Sequence, residues 1–155
     1  MGIMVALLCV LIGRWIYQGR TAPLPELPLL ALDGVDPEVA AVLIEQRAAV
    51  EKAPRSADAW GKLAMLFQAH EFFDKARVCY SAAETLDSTN PNWPYFQGFL
   101  LQMGAHPDRA VSSFQRAAAL APDDWPVPRF HLADLLLDLG RIDEAEREYR
   151  NVLAT

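Results

Sequence analysis

The residues able to do chemistry are few, and their spacing does not assemble a reactive site. The three histidines are His70, His106 and His131. None makes a recognised metal-binding arrangement with another histidine or with a carboxylate. His70 falls at the end of a predicted helix and His106 at the start of another, so both read as structural or solvated. Ser112 and Ser113 have no base at a readable spacing, and no GxSxG, P-loop or GxGxxG motif is present. The two cysteines, Cys9 and Cys79, form no CxxC or CxxCH motif, which leaves zinc, thioredoxin-type redox chemistry and c-type haem attachment without support. Asp123 and Asp124 precede a predicted helix and favour its N-terminus electrostatically. Glu144, Glu146 and Glu148 interleave with Arg141, Arg147 and Arg150 as a solvated face with i,i+3 ion pairs. The sequence therefore predicts no enzyme, no cofactor and no metal.

Composition narrows the classes further. The chain has 155 residues, 52% hydrophobic and 22% charged, which is globular rather than disordered. Its net charge of −6 repels phosphate backbones, so nucleic acid is not an expected partner.

Residues 1–18 form the first segment. Gly2 to Gly13 is apolar without a break, and Arg14, Trp15, Ile16 and Tyr17 follow. As a helix, residues 2–17 would span about 24 Å against about 30 Å of hydrocarbon. Arg14 could snorkel to the headgroups, and Trp15 and Tyr17 suit the interface. A single-pass membrane anchor, a cleaved signal peptide and a buried helix of a soluble fold all stay open, and the anchor is the reading taken forward. A lipid anchor on Cys9 fits less well, because Leu8 stands where a small residue is wanted.

Residues 19–36 are expected to be a proline-rich linker, with Pro23, Pro25 and Pro28 favouring extended chain. Helical patterning begins at Asp36, an N-cap with Pro37 in the first turn. Val39, Val42, Leu43, Ala49, Val50 and Ala53 then share one stripe. Helices are predicted over 38–52, 57–69, 73–86, 91–103, 107–120, 127–139 and 142–153, with no strand. Asn90–Pro91 and His106–Pro107 read as N-cap and first-turn proline, and Gly104 and Gly140 as left-handed helix ends.

A repeat underlies this pattern. Windows starting at Ala57, Pro91 and Pro126 are spaced by 34 and then 35 residues. Ala64, Gly98 and Ala133 fall in one column, Ala76, Ala110 and Ala145 in a second, and Tyr80, Phe114 and Tyr149 in a third. Ala83 and Ala117 share a fourth with Val152. Small residues in two columns let paired helices cross closely, and the aromatic fills the gap beyond the crossing. Pro54 and Pro122 stop helices.

These columns resemble the tetratricopeptide-repeat family over residues 57–153, carried by Trp60, Leu63, Ala64, Phe67, Ala76, Tyr80 and Ala83 in the first repeat and their counterparts in the next two. Pro94 and Gln97 depart from the family's tryptophan and leucine. The resemblance implies an all-α superhelix, with a partial helix at 38–52 and repeats at 57–90, 91–125 and 126–155 forming a domain over 37–155. It also implies that the first helix of each repeat lines a concave groove that binds a partner protein or peptide. The groove residues would be Lys62 and Met65, then Tyr95, Phe96, Phe99 and Met103, then Phe130, His131 and Asp134. The Lys/Arg/Asn clamp that some relatives use for a C-terminal carboxylate is missing.

The expected function is thus a membrane-tethered scaffold or adaptor. The alternative is a structural module that self-associates through its C-terminal helix, or an accessory repeat region of a larger exported assembly. Arg14 and Arg20 would keep the repeats in the cytoplasm, whereas a likeness to repeat regions of bacterial exported proteins favours the periplasmic side.

Overall fold

The computed structural model describes residues 23–30, 32 and 34–154. The expectation of an anchor at residues 2–17 lies outside the described residues. Among those described, no helix is long and apolar enough to cross a membrane.

Seven helices and no strand occur among the described residues: α1 (Pro37–Lys52), α2 (Ala57–Ala69), α3 (Phe73–Leu86), α4 (Asn92–Met103), α5 (Pro107–Leu120), α6 (Val127–Asp138) and α7 (Ile142–Leu153). Packing is strongest within the pairs α2–α3, α4–α5 and α6–α7, and then between sequential pairs. That is the one-dimensional stacking of a solenoid. The small columns do the predicted work, since Ala64, Ala76, Ala110, Ala133 and Ala145 are buried at helix crossings. Phe67, Tyr80 and Phe114 are fully buried beside them. Each contributes roughly 1.5–3 kcal/mol of burial.

Asp36 caps α1 by accepting from the Glu38 and Val39 amides. Two other cap expectations are corrected. Helix α4 starts one residue late, at Asn92, and Asn90 instead accepts from the Asn92 amide in a turn. His106 precedes α5, but its side chain makes no capping hydrogen bond.

The left-handed residue of the second repeat is also displaced. Gly104 has φ −80°, and the positive φ belongs to Ala105 at 57°. Glu71 at 62° and Gly140 at 72° occupy the same place in their repeats. In all three the following amide bonds back across the turn, Phe72 to Phe67, His106 to Leu101 and Arg141 to Leu136. This is a Schellman closure, set by the repeat register rather than by where glycine happens to fall.

Helix α1 buries Leu43 and Val50, while Val42 faces out at 47% exposure, against the predicted stripe. The proline-rich stretch before α1 also carries side chains into the core: Leu27, Leu30 and Leu32 pack against the cluster around Leu43 and Phe67. The Arg47 side chain donates to the Pro28 carbonyl at 3.3 Å. The scattered leucines have no helical spacing because they meet the core from an extended chain.

Candidate functional site: the aromatic wall of helices α4 and α6

Tyr95, Phe96 and Phe99 project from α4, and His131 and Phe130 from the next first helix, α6. The structure joins them ring to ring. Tyr95 stands 5.5 Å from Phe96, 5.0 Å from Phe99 and 5.8 Å from His131, by ring centroids. Phe99 meets His131 edge-on at 5.0 Å, and Phe130 meets His131 at 6.0 Å. Edge-to-face contacts at such distances stabilise one arrangement of the rings.

The wall is anchored from behind. Phe96 stacks on the buried Tyr80 at 5.6 Å, and Phe99 packs on the buried Phe114 at 5.2 Å. Burial holds the Tyr95 hydroxyl above its ordinary pKa and does the same to Tyr80, with the Cys79 thiolate adding to the latter. Tyr95, Phe96, Phe99 and His131 are half-buried. Phe130 is 45% exposed while still touching two rings, His131 and Tyr149. With Val127 and Leu137, also exposed, it forms an apolar stripe along α6.

Two residues that the sequence did not place here join the wall. Trp125, in the turn before α6, meets Tyr95 at 5.4 Å. Its signal was a lone tryptophan in the entry loop that is one residue longer in the third repeat. Tyr149 touches Phe130 at 6.0 Å and donates its hydroxyl proton to Asp134. That hydrogen bond, then desolvation, raises the Tyr149 pKa.

The remaining predicted residues sit differently. Asp134 is engaged by Tyr149. Lys62 pairs with Asp58 of its own helix at 2.8 Å. Met65 is exposed on α2, and Met103, also exposed, lines a separate hollow at the end of α4. No group of three or more His, Cys, Asp or Glu side chains able to hold a metal occurs among the described residues. Cys79 is buried, its thiol pushed up to about 12 by desolvation.

A tetratricopeptide-repeat family model matches residues 100–155. No curated protein sequence matches the chain significantly. Solved structures do resemble it. MamA superposes with a TM-score of 0.68 at 18% identity, over 76% of this chain and 68% of its own. YrrB, described as a TPR protein with an unusual peptide-binding site, gives 0.64 at 25% identity over 78% of this chain and 61% of its own. The first TPR of Spaghetti (RPAP3), bound to the HSP90 peptide SRMEEVD, gives 0.58 at 20% identity over 64% and 78%. The chain spans about two thirds of the length of MamA and YrrB. The columns of small and aromatic residues, the stacked helix pairs and the family model matched over residues 100–155 agree, and the chain has the fold of tetratricopeptide-repeat proteins.

Proposed function

We propose that the chain is an interaction scaffold that receives an apolar peptide segment of a partner protein against the α4–α6 aromatic wall. The observation that carries this is Phe130. It is nearly half exposed, yet its ring is already held by His131 and Tyr149. A preorganised aromatic at the rim of a packed ring cluster loses little entropy when a ligand covers it. Val127 and Leu137 extend the same stripe and offer anchor contacts at helical spacing. The peptide-binding relatives YrrB and Spaghetti support the class of ligand. Repeat modules of this family are in general interaction modules rather than catalysts.

The apolar run at Gly2–Gly13 supports tethering of the scaffold to a membrane by residues 2–17, with the periplasmic side the favoured location for the repeats. Resistance of the full chain to carbonate extraction, lost on replacing Val5, Leu7 and Leu8 by serine, tests the tether.

The test of the groove is selection of displayed peptides against the full chain. Enriched peptides should bind Phe130→Ala at least about tenfold more weakly, a loss of about 1.4 kcal/mol. Unchanged affinity would remove the wall from the binding surface. A second reading, self-association through α7, draws on Ile142 and on Leu153, which is 86% exposed. Sedimentation of the full chain separates the two readings, since Leu153→Ser would shift the mass only if α7 pairs with a second copy.

A further inference from the structure

A hollow of about 190 Å³ opens at the edge of the solenoid where the first and second repeats meet. Its floor is apolar, made by Phe73 of α3 and by Leu100 and Leu101 of α4, with the exposed Met103 at its edge. Its rim is cationic, with Arg77 from α3 and Arg109 from α5 facing the same space beside His106. One carboxylate shares the rim, Asp74, fully exposed and 3.5 Å from Arg77. Arg109 makes no ion pair among the described residues.

The fold does not require these charges. One repeat later the same register holds Val111 in place of Arg77, Glu144 in place of Arg109 and Asp138 in place of Met103. Arg141 there replaces His106 and is neutralised by Glu144 at 2.6 Å. Two guanidiniums converging over an apolar floor, in a chain of net charge −6, is therefore a local feature set against both the repeat pattern and the overall charge. Guanidinium forks match carboxylates in geometry and charge, and the floor matches an aliphatic or aromatic neighbour.

We propose that this hollow is a second docking point, which takes an acidic side chain of a partner polypeptide while the adjacent apolar residue of that partner rests on Phe73 and Met103. The proposal rests on the peptide-binding reading for the nature of its ligand, but its residues are distinct from the aromatic wall.

The test uses the full chain and two synthetic peptides blocked at both ends, acetyl-LEELEF-amide and acetyl-LQQLQF-amide, followed by fluorescence anisotropy. The acidic peptide should bind about tenfold more tightly than its glutamine counterpart, with the advantage shrinking as salt rises. The double variant Arg77→Val with Arg109→Glu should erase the preference. It carries residues the next repeat already holds at that register, and an unchanged circular dichroism spectrum establishes that it folds. Arg109→Gln alone should give an intermediate loss. Equal affinity for the two peptides, or a preference that survives the double variant, would overturn the proposal. So would displacement of the acidic peptide by millimolar acetate, which would mark a site for small anions. If Phe130→Ala leaves the preference and the affinity of both peptides unchanged, the hollow stands and the wall reading fails. If the preference is absent while Phe130→Ala still weakens both peptides, the reverse holds.

Discussion

The indole of Trp93 fills the space into which any side chain at Gly61 would point: a Cβ there would stand 2.3 Å from Cζ3 and Cη2 of the ring. This contact joins the first helix of one repeat to the first helix of the next. Trp93 is 5% exposed, so its ring is packed on most sides. Alanine at 61 gains about 1 kcal/mol of helix propensity, yet overpacking costs typically 1–3 kcal/mol. Gly61→Ala is expected to lower the denaturant midpoint. Trp93→Phe removes the clashing ring, and with it a buried N–H that has no hydrogen-bond partner. A double-mutant cycle should therefore show coupling of about 1 kcal/mol or more between the two sites. Additive effects would show that the ring relaxes elsewhere.

A polar clasp also joins the same two repeats. Glu84 accepts from the buried Gln97 amide and from Arg116, each at 2.8 Å. The Arg116 pair is half exposed and adds little, so the Gln97 amide dominates. Glu84→Ala leaves that amide unpaired and should cost about 1–3 kcal/mol. Restoring stability with Gln97→Leu in the Glu84→Ala background would confirm that desolvation, rather than charge, sets the cost. Failure of that rescue would point to the ion pair.

The left-handed positions allow a stabilising change. Ala105 holds φ 57° in a place where Gly140 serves the next repeat. An L side chain in that conformation costs about 1–2 kcal/mol, partly offset by the extra freedom glycine gives the unfolded chain. Ala105→Gly should raise stability by about 0.5–1 kcal/mol, and Gly140→Ala should lower it by a similar amount. Thermal melts that move in the opposite directions would contradict the assignment.

Alkaline pH should destabilise the chain. Tyr80 and Tyr95 hold their protons more tightly when folded because burial disfavours the phenolate, and Tyr149 because it donates to Asp134. The Cys79 thiol behaves likewise, rising from 9.0 to about 12. Groups whose folded pKa is raised contribute stability that is complete below the unfolded pKa. It is lost as the pH climbs through the folded one. Stability should therefore decline from about pH 9 upward, and Tyr149→Phe should flatten part of that decline. On the acid side Glu144, held below its ordinary value by the hydrogen bond from Arg141, contributes above pH 4.5 and fades beneath it. A stability curve flat between pH 9 and 12 would contradict the tyrosine and thiol assignments.

The helix pairs were legible because close crossing demands small residues at fixed intervals. Ala64 against Ala76 and Ala133 against Ala145 announce themselves in any window of the right length. Helix ends followed to within a residue, since Pro54, Pro122 and the N-terminal cap at Asp36 act locally. Other features depended on tertiary register. The left-handed turn fell on Ala105 and not on Gly104, because the 6→1 bond from His106 to Leu101 fixes which residue must turn. Leu27, Leu30 and Leu32 dock from an extended chain, which leaves no periodicity to read. Trp125 joins Tyr95 from a loop, and the cationic hollow forms only when α3 and α5 are brought side by side.

Site-specific photo-crosslinking tests the binding wall most directly. A benzophenone amino acid placed at position 130 or 137 of the full chain should crosslink a selected peptide. The same group at position 44, on the exposed face of α1, should not. Crosslinking from position 44 equal to that from 130 and 137, or its absence at the latter two while the peptide remains bound, would contradict binding at the aromatic wall.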